Sequence, residues 1–318
     1  MKSKPLWKPK AKEIESSLLN LFFNHLEKNN YLKNNRIFLD LWNWTIKNPD
    51  IFWSEFWNFS KIIGDKGKRV IDKDKIFNKS KFFSDSKVNY TENILKKRSN
   101  DVAINFFSET GFEEKISWNS LYEKVCKFSF YLKSLGLKKG DRVAAYVPNK
   151  IETVISFLAC AKNGIIWSSC SPDFGAQGVI ERFKQIEPEV FITSDYYFYN
   201  GKKINILDKV DSILKEIPSI KKTLVFPYNK KEKSDIKNFI DFDKKLDESE
   251  LDEIFERFEF NHPIYILFSS GTTGKPKCIT HGSGNVLIEH NKEFILHCDI
   301  RESDKLFYYT TTGWMMWN

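Results

Sequence analysis

From residue 142 to residue 226 the sequence keeps changing period. The runs 142–147, 165–169, 190–193 and 222–226 are short, largely apolar and rich in β-branched and aromatic residues, as in strands buried on both faces. Between them, the segments 151–163, 177–186 and 208–217 return to helical spacing. Strand, helix, strand in that order marks a crossover unit, and its repetition predicts a mostly parallel sheet covered on both faces. The chain is therefore expected to be an α/β protein. In such a sheet, ligands lie beyond the carboxyl ends of the strands.

A second stretch, 264–281, opens as a buried strand with five apolar residues, Ile264-Tyr265-Ile266-Leu267-Phe268. It then breaks into Ser269, Ser270, Gly271, Thr272, Thr273, Gly274 and Lys275. Four hydroxyls and two glycines cannot make a core. They can make a tight loop whose N–H and hydroxyl groups converge on a polyanion. Lys275 adds a positive charge, and Pro276 keeps the loop from running straight into a helix. A Walker A loop needs four residues between its glycines, then Lys and Ser or Thr. Here two residues separate Gly271 from Gly274 and Pro follows the Lys, so this is not one. A plain surface turn and a phosphate-handling loop of another kind remain. The order strand, double Ser, double Thr, Lys-Pro-Lys favours the latter.

Ser269 to Lys277 resembles the phosphate-binding signature of the adenylate-forming ligases, the acyl-CoA synthetase superfamily. The resemblance implies joining of a carboxylic acid to ATP as an acyl-adenylate, with transfer of the acyl group to coenzyme A. It implies that residues 269–275 grip the β- and γ-phosphates, with Mg²⁺ as counter-ion. It also implies an N-terminal helical region over 1–98 and an adenylation domain over 99–318, with doubly covered, mostly parallel sheets incomplete at the C-terminus. The later adenine and ribose motifs, the hinge, and the small domain with its adenylation Lys are not in these 318 residues. No catalytic residue is therefore assigned here, and the chain is expected to be a fragment, inactive alone.

Two further stretches enter through the same resemblance. Trp167 to Gly175 leaves a predicted parallel strand; its residues read as a Pro-Asp turn, while the similar segment of acetyl-CoA-type enzymes lines the coenzyme A channel. Cys170, Ser171 and Pro172 are the candidates there, with Arg182 on the next helix as a phosphate partner or a surface charge. A Ser-Pro pair stands where the acetate enzymes usually show a glycine pair. At the end, Thr310-Thr311-Thr312-Gly313-Trp314-Met315-Met316-Trp317-Asn318 reads as a core strand or, by resemblance, as acyl-pocket wall through Trp314, Met315 and Met316. This segment, Leu6-Trp7 and Val88-Asn89-Tyr90-Thr91-Glu92-Asn93 resemble the acetoacetate branch, so acetoacetate is the expected acid. Acetate or propionate, and nucleotide binding without catalysis, are the alternatives.

The remaining expectations are simpler. Residues 11–29 and 36–47 read as apolar-faced segments, and Pro49 opens a helix that Gly64 ends. Residues 82–96 continue that layer. Residues 102–107 and 114–117 make a hairpin, and Ser117 or Ser120 caps a helix over 118–135 ended by Gly136. The charged stretch 229–250 reads as a surface loop and a boundary between two sheets, the second starting at Ile264. A helix over 284–298 and a strand over 306–309 follow.

Hydrophobic content of 41%, with 28 Phe and 9 Trp, supplies a large ring-filled core. Five cysteines, an odd number without a C-x-x-C pair, read as buried free thiols in a reducing compartment, hence the cytoplasm. No secretory leader is read at the start, and no apolar run approaches the ~20 residues of a membrane span. The net charge of +8 comes from lysines interspersed with acids, without a nucleic-acid recognition motif. The five histidines lack metal-ligand spacing, and His281 either packs or touches substrate. The partners expected are small molecules: ATP, acetoacetate and coenzyme A.

Overall fold

The structure, a computed structural model, describes residues 5–32, 37–232, 239–269 and 274–318. It opens with α1 (Ala11–Ser16) and α2 (Leu18–Lys28). The apolar segment over 11–29 is two helices because Ser17 stays extended and caps the second, its Oγ accepting from Asn20 N at 3.2 Å. After α3 (Phe38–Lys47), Pro49 starts α4 (Pro49–Phe59), which buries Phe52, Phe56 and Trp57. This helix stops short of Gly64. Ser60 Oγ donates to Phe56 O at 2.7 Å and Lys61 turns left-handed at φ +54°.

Gly64 instead lies in β1 (Gly64–Asp65), followed by β2 (Ile71–Asp72), β3 (Lys81–Phe82) and β4 (Lys87–Val88). The expected helical continuation over 82–96 shrinks to α5 (Tyr90–Ile94), because Asn89 is extended and its side chain caps the helix through Glu92 N. Every polar residue of the stretch 89–93 is a tie. Asn89 Nδ2 donates to Lys162 O at 2.9 Å and Glu256 O at 2.7 Å, and Thr91 Oγ1 donates to Leu158 O at 2.7 Å. Glu92 accepts two bonds of 3.0 Å from Arg257, and Asn93 exchanges bonds with the backbone of Ile63.

The hairpin β5 (Val102–Phe107) and β6 (Glu113–Ser117) forms as expected. Ser117 caps α6 (Trp118–Ser134), and Gly136 takes φ +85° just beyond it. The alternating core follows: β7 (Arg142–Tyr146), α7 (Ile151–Lys162), β8 (Ile166–Cys170), α8 (Ala176–Phe183) and β9 (Val190–Ser194). A hairpin that the sequence reading did not see, β10 (Tyr196–Tyr199) and β11 (Lys202–Asn205), precedes α9 (Leu207–Glu216) and β12 (Lys222–Phe226).

Two expectations are corrected next. The stretch 229–250 is neither a plain loop nor a sheet boundary, since it contributes β13 (Ile240–Asp241), parallel to β12, and α10 (Phe242–Glu248). After β14 (Phe258–Glu259), β15 (Pro263–Ser269) does not start a second sheet. It lies parallel to β8 through Tyr265 and Trp167, and pairs antiparallel with β16 (Lys277–Gly282). One seven-stranded sheet results, ordered β13-β12-β9-β7-β8-β15-β16. The physical reason is that a run apolar on both faces removes the most apolar area from water by entering an existing sheet between two covering layers.

The last helix, α11 (Ser283–Lys292), continues as a π-helical turn over Glu293–His297. The expected strand over 306–309 is irregular backbone with Leu306, Phe307, Tyr308 and Tyr309 all exposed. One hydrophobic cluster runs from Phe22, Phe56 and Phe83 through Phe157 and Trp167 to Leu287, so the N-terminal layer and one face of the sheet share a core. The other face packs on α8 and α9 through Val179, Phe183, Val210 and Ile213. Cys126, Cys160 and Cys170 are buried free thiols, but Cys278 and Cys298 are exposed.

Candidate functional site

The hairpin of β15 and β16 holds the stretch that the sequence marks for phosphate. Its base is pinned where Ser269 pairs with Lys277. Ser270, Gly271, Thr272 and Thr273 lie outside the described residues. At its described rim, Ser269 is half-buried, and Gly274 and Lys275 are exposed. Gly274 has φ +152°, a conformation that side chains disfavour. Beyond it, Gln185 holds the returning strand from both ends of its amide. Its Nε2 donates to Pro276 O at 3.0 Å, and its Oε1 accepts from Cys278 Sγ at 3.8 Å.

Arg182 sits one turn before Gln185. Its guanidinium lies 4.5 Å from the Phe174 ring and 6.0 Å from the ring of Phe268, the residue before Ser269. Nη1 donates to Gly178 O at 2.7 Å, which orients the group. Arg182 thus bridges the root of the hairpin and the turn after β8.

In that turn the structure buries Cys170, Ser171 and Pro172. Burial raises the Cys170 thiol to about 12, and its carbonyl accepts from Val147 N at 3.1 Å. These side chains are therefore wall, and the outward part of the turn is residues 173–175, with Asp173 and Gly175 exposed. Tyr146 Oη lies 2.8 Å from Pro172 O and 2.7 Å from Phe174 O. Lys209 Nζ lies 3.3 Å from both Tyr146 Oη and Pro172 O. The sequence reading missed Lys209, because nothing local connects a residue of α9 with the end of β8.

The terminal segment crosses the carboxyl ends of β7 and β8. Thr312 Oγ1 donates to Val147 O at 2.6 Å, and Ser169 Oγ donates to Thr312 O at 2.7 Å. Asn149 holds it twice, through Nδ2 to Thr310 O at 2.7 Å and by accepting from Trp317 Nε1 at 2.6 Å. Gly313 lies so close to Phe174 that a Cβ would stand 2.4 Å from its Cε2. Phe174 thus touches Gly313 of the terminal segment on one side and Arg182 on the other, and Arg182 in turn faces Phe268 at the root of the hairpin.

Beside this junction lies an apolar cavity of about 1220 Å³. Trp53, Phe157, Tyr265, Met315 and Met316 line it, as do His281 from β16 and His290 from α11. Trp314 is half-exposed and is not part of the lining. Burial pushes both histidines below their ordinary value, and His281 pushes His290 further down. His262 is also lowered by burial, although it bonds Gly164 O. With lower values in the folded state, the unfolded chain takes up protons first as the pH falls. These groups thus cost no stability above the ordinary value of about 6.5, and stability is lost as the pH falls below it and through the folded values. The melting temperature should fall from roughly pH 6.5 to 5.5, and a His290→Gln variant should show a shallower fall. An equal slope in the variant would contradict the assignment.

No group of three or more His, Cys, Asp or Glu among the described residues could hold a metal. No helix among them is long and apolar enough to cross a membrane.

Comparison with known proteins agrees with this geometry. Residues 91–316 match the family described as AMP-binding enzyme. The chain is 41% identical to the acetoacetyl-CoA synthetase of Xenopus tropicalis, over 100% of this chain and 49% of that protein. It is 38% identical to the acetoacetyl-coenzyme A synthetase of Rhizobium meliloti (strain 1021), over 99% and 49%. The solved acetoacetyl-CoA synthetase of Streptomyces lividans superposes with a TM-score of 0.92 at 32% identity, covering 99% of this chain and 49% of that one. The chain thus spans about half the length of the relatives it matches. With the strand–loop–strand, the parallel sheet and the family match in agreement, the chain belongs to the AMP-binding enzymes.

Proposed function

We propose that this chain supplies the phosphate-gripping part of an AMP-forming acetoacetate–CoA ligase. The observation that carries the reading is the run of contacts from Phe268 at the root of the β15–β16 hairpin, through Arg182 and Phe174, to Gly313 of the terminal segment. In this reading residues 99–318 are the adenylation part and residues 1–98 a packing layer. Ser269, Ser270, Gly271, Thr272, Thr273, Gly274 and Lys275 hold the β- and γ-phosphates of ATP. Arg182 adds charge beside them, the turn at 170–175 borders the coenzyme A path, and Met315 and Met316, with Trp314 beside them, bound the acid.

The chemistry asks the protein to bring two anions together. A carboxylate oxygen of acetoacetate attacks the α-phosphorus, forming a new P–O bond while the bond to pyrophosphate breaks. The coenzyme A thiol then loses its proton, attacks the acyl carbon and displaces AMP. Fixed donors and cations at the hairpin lower the barrier by meeting charge on the departing pyrophosphate. Mg²⁺ would enter on the nucleotide's own phosphates and screen their charge, since the described residues offer no metal cage.

A Lys275→Ala variant tests this. Loss of one charged contact to phosphate is expected to weaken ATP binding by about 10–100-fold, measured by titration with a fluorescent ATP analogue. Equal affinity in the variant would overturn the assignment. Acetoacetate, acetate and propionate compared in the ligase reaction would then identify the acid.

A further inference from the structure

We propose, resting on the phosphate reading of residues 269–275 given above, that Gln185 is a positioning residue. From the turn that ends α8 it fixes the strand leaving the phosphate loop, and so fixes where Lys275 delivers its charge.

The anchor is stiff. Gln185 stands two residues beyond α8, between Phe183 and Ile186, both buried. The turn is closed by Gln185 N, donating to Arg182 O at 3.2 Å, and by Ile186 N, donating to Phe183 O at 3.1 Å. Arg142 of β7 ties this turn to the sheet. Its Nε donates to Ile186 O at 2.8 Å and its Nη2 to Glu187 O at 3.0 Å. The side-chain amide is oriented in its turn, because Nε2 donates to Glu181 O at 2.8 Å as well as to Pro276 O at 3.0 Å.

The group held is the exit of the loop. Beyond the ladder at Ser269 and Lys277, Gln185 is the one partner among the described residues that bonds the backbone over 274–276. A bond to Pro276 reaches Lys275 with little slack. The proline ring fixes its own φ and restricts the residue before it. One peptide, ~3.8 Å between Cα atoms, separates the bonded residue from the charged one. A lysine whose root is already fixed loses less freedom on meeting phosphate.

The entry is held from the same helix. Arg182, one turn earlier and on the same side, faces the ring of Phe268 at 6.0 Å. Arg182 thus meets the strand that enters the loop, and Gln185 the strand that leaves it. One short helix sets the separation of the two arms, and Phe183 holds that helix in the core. The hairpin does not need Gln185 in order to form, since β15 and β16 already pair from Pro263 to Ser269.

A double-mutant cycle on the 318-residue chain tests the role, read by titration with a fluorescent ATP analogue and Mg²⁺. Gln185→Met keeps the side-chain length and removes both polar groups. Gln185 is exposed, so the variant should melt within about 2 °C of the parent. It should bind the analogue about three- to tenfold more weakly. Gln177→Met, the same change at an exposed glutamine of the same helix, should bind like the parent. In a Lys275→Ala background, Gln185→Met should weaken binding by less than about twofold, because the residue acts through that lysine. Amide exchange at Lys275 and Lys277 should quicken about threefold or more in Gln185→Met. Full affinity in Gln185→Met, or the same factor in both backgrounds, would overturn the positioning role and leave the phosphate reading in place. A large fall in melting temperature would make the tie structural and overturn the role as well. A parent chain that does not take up the analogue, or a Lys275→Ala chain that binds as tightly as the parent, would instead end the phosphate reading, and the role of Gln185 with it.

Discussion

Gly284→Ala is expected to cost about 3 kcal/mol of stability, at the upper end of overpacking penalties. A Cβ at this position would stand 2.2 Å from Cδ2, 2.4 Å from Cγ and 2.6 Å from Cε2 of Phe260. The ring has nowhere to go. It is 1% exposed, with the rings of Phe83 and Trp57 at 4.9 and 5.9 Å. The backbone cannot retreat either, because Gly284 N donates to Phe260 O at 2.8 Å and Phe260 N to Ser86 O at 3.0 Å. The melting temperature should drop by roughly 5–10 °C, and the start of α11 should shift, moving His290 in the cavity wall. Gly111→Ala is the control, since its Cβ meets nothing within 4 Å and only the φ of +79° is penalised. A Gly284→Ala protein melting no lower than the Gly111→Ala protein would refute the account.

Asn89→Ala should be nearly as damaging, at about 3 kcal/mol, because each buried group left unbonded costs about 1–3 kcal/mol and a lost cap about 1. Asn89 is fully buried. Its amide serves α5, the end of α7 and the irregular segment leading to β14 at once, through Glu92 N, Lys162 O and Glu256 O. Alanine leaves the Lys162 carbonyl without its bond from residue 89 and takes the cap from a helix of five residues, too short to hold itself. Urea titration gives the measurement. Asn89→Asp should fare little better than Asn89→Ala, since it keeps the cap acceptor and loses the donor to both carbonyls. An Asn89→Asp protein as stable as the parent would show that the two carbonyl bonds carry no weight.

The same residue shows how far local reading reaches. Within 88–93 a pattern resembling the acetoacetate branch is visible in the sequence, but its physical reason is not. Thr91 reaches Leu158, Glu92 reaches Arg257 and Asn93 reaches Ile63, partners as far as 165 positions away. Likewise, the alternation over 142–226 predicts the strands of the main sheet and the helices between them to within a few residues, since period and caps act over one or two turns of chain. It does not show the hairpin over 196–205. Helix ends were legible where a cap is explicit, as at Ser117 and Gly136. They were misread where a serine or lysine bent the chain early, as at Ser60 and Lys61.

Residues 264–268 illustrate the limit. Their apolar run announces a buried strand, but it is silent on which sheet receives it. The answer depends on Trp167, 98 positions before its partner Tyr265, and on the covering layers that make β8 the least costly neighbour.

By itself, then, the sequence determined the α/β alternation, the strand and loop that single out residues 269–275, and the likeness to the adenylate-forming ligases, because these are written in neighbouring residues. Only the tertiary structure decided that one sheet runs from β13 to β16, that Phe174 joins Arg182 to Gly313, and that Cys170 is wall. Those outcomes are settled by which distant apolar surfaces exclude water together, a property that no single stretch of chain contains.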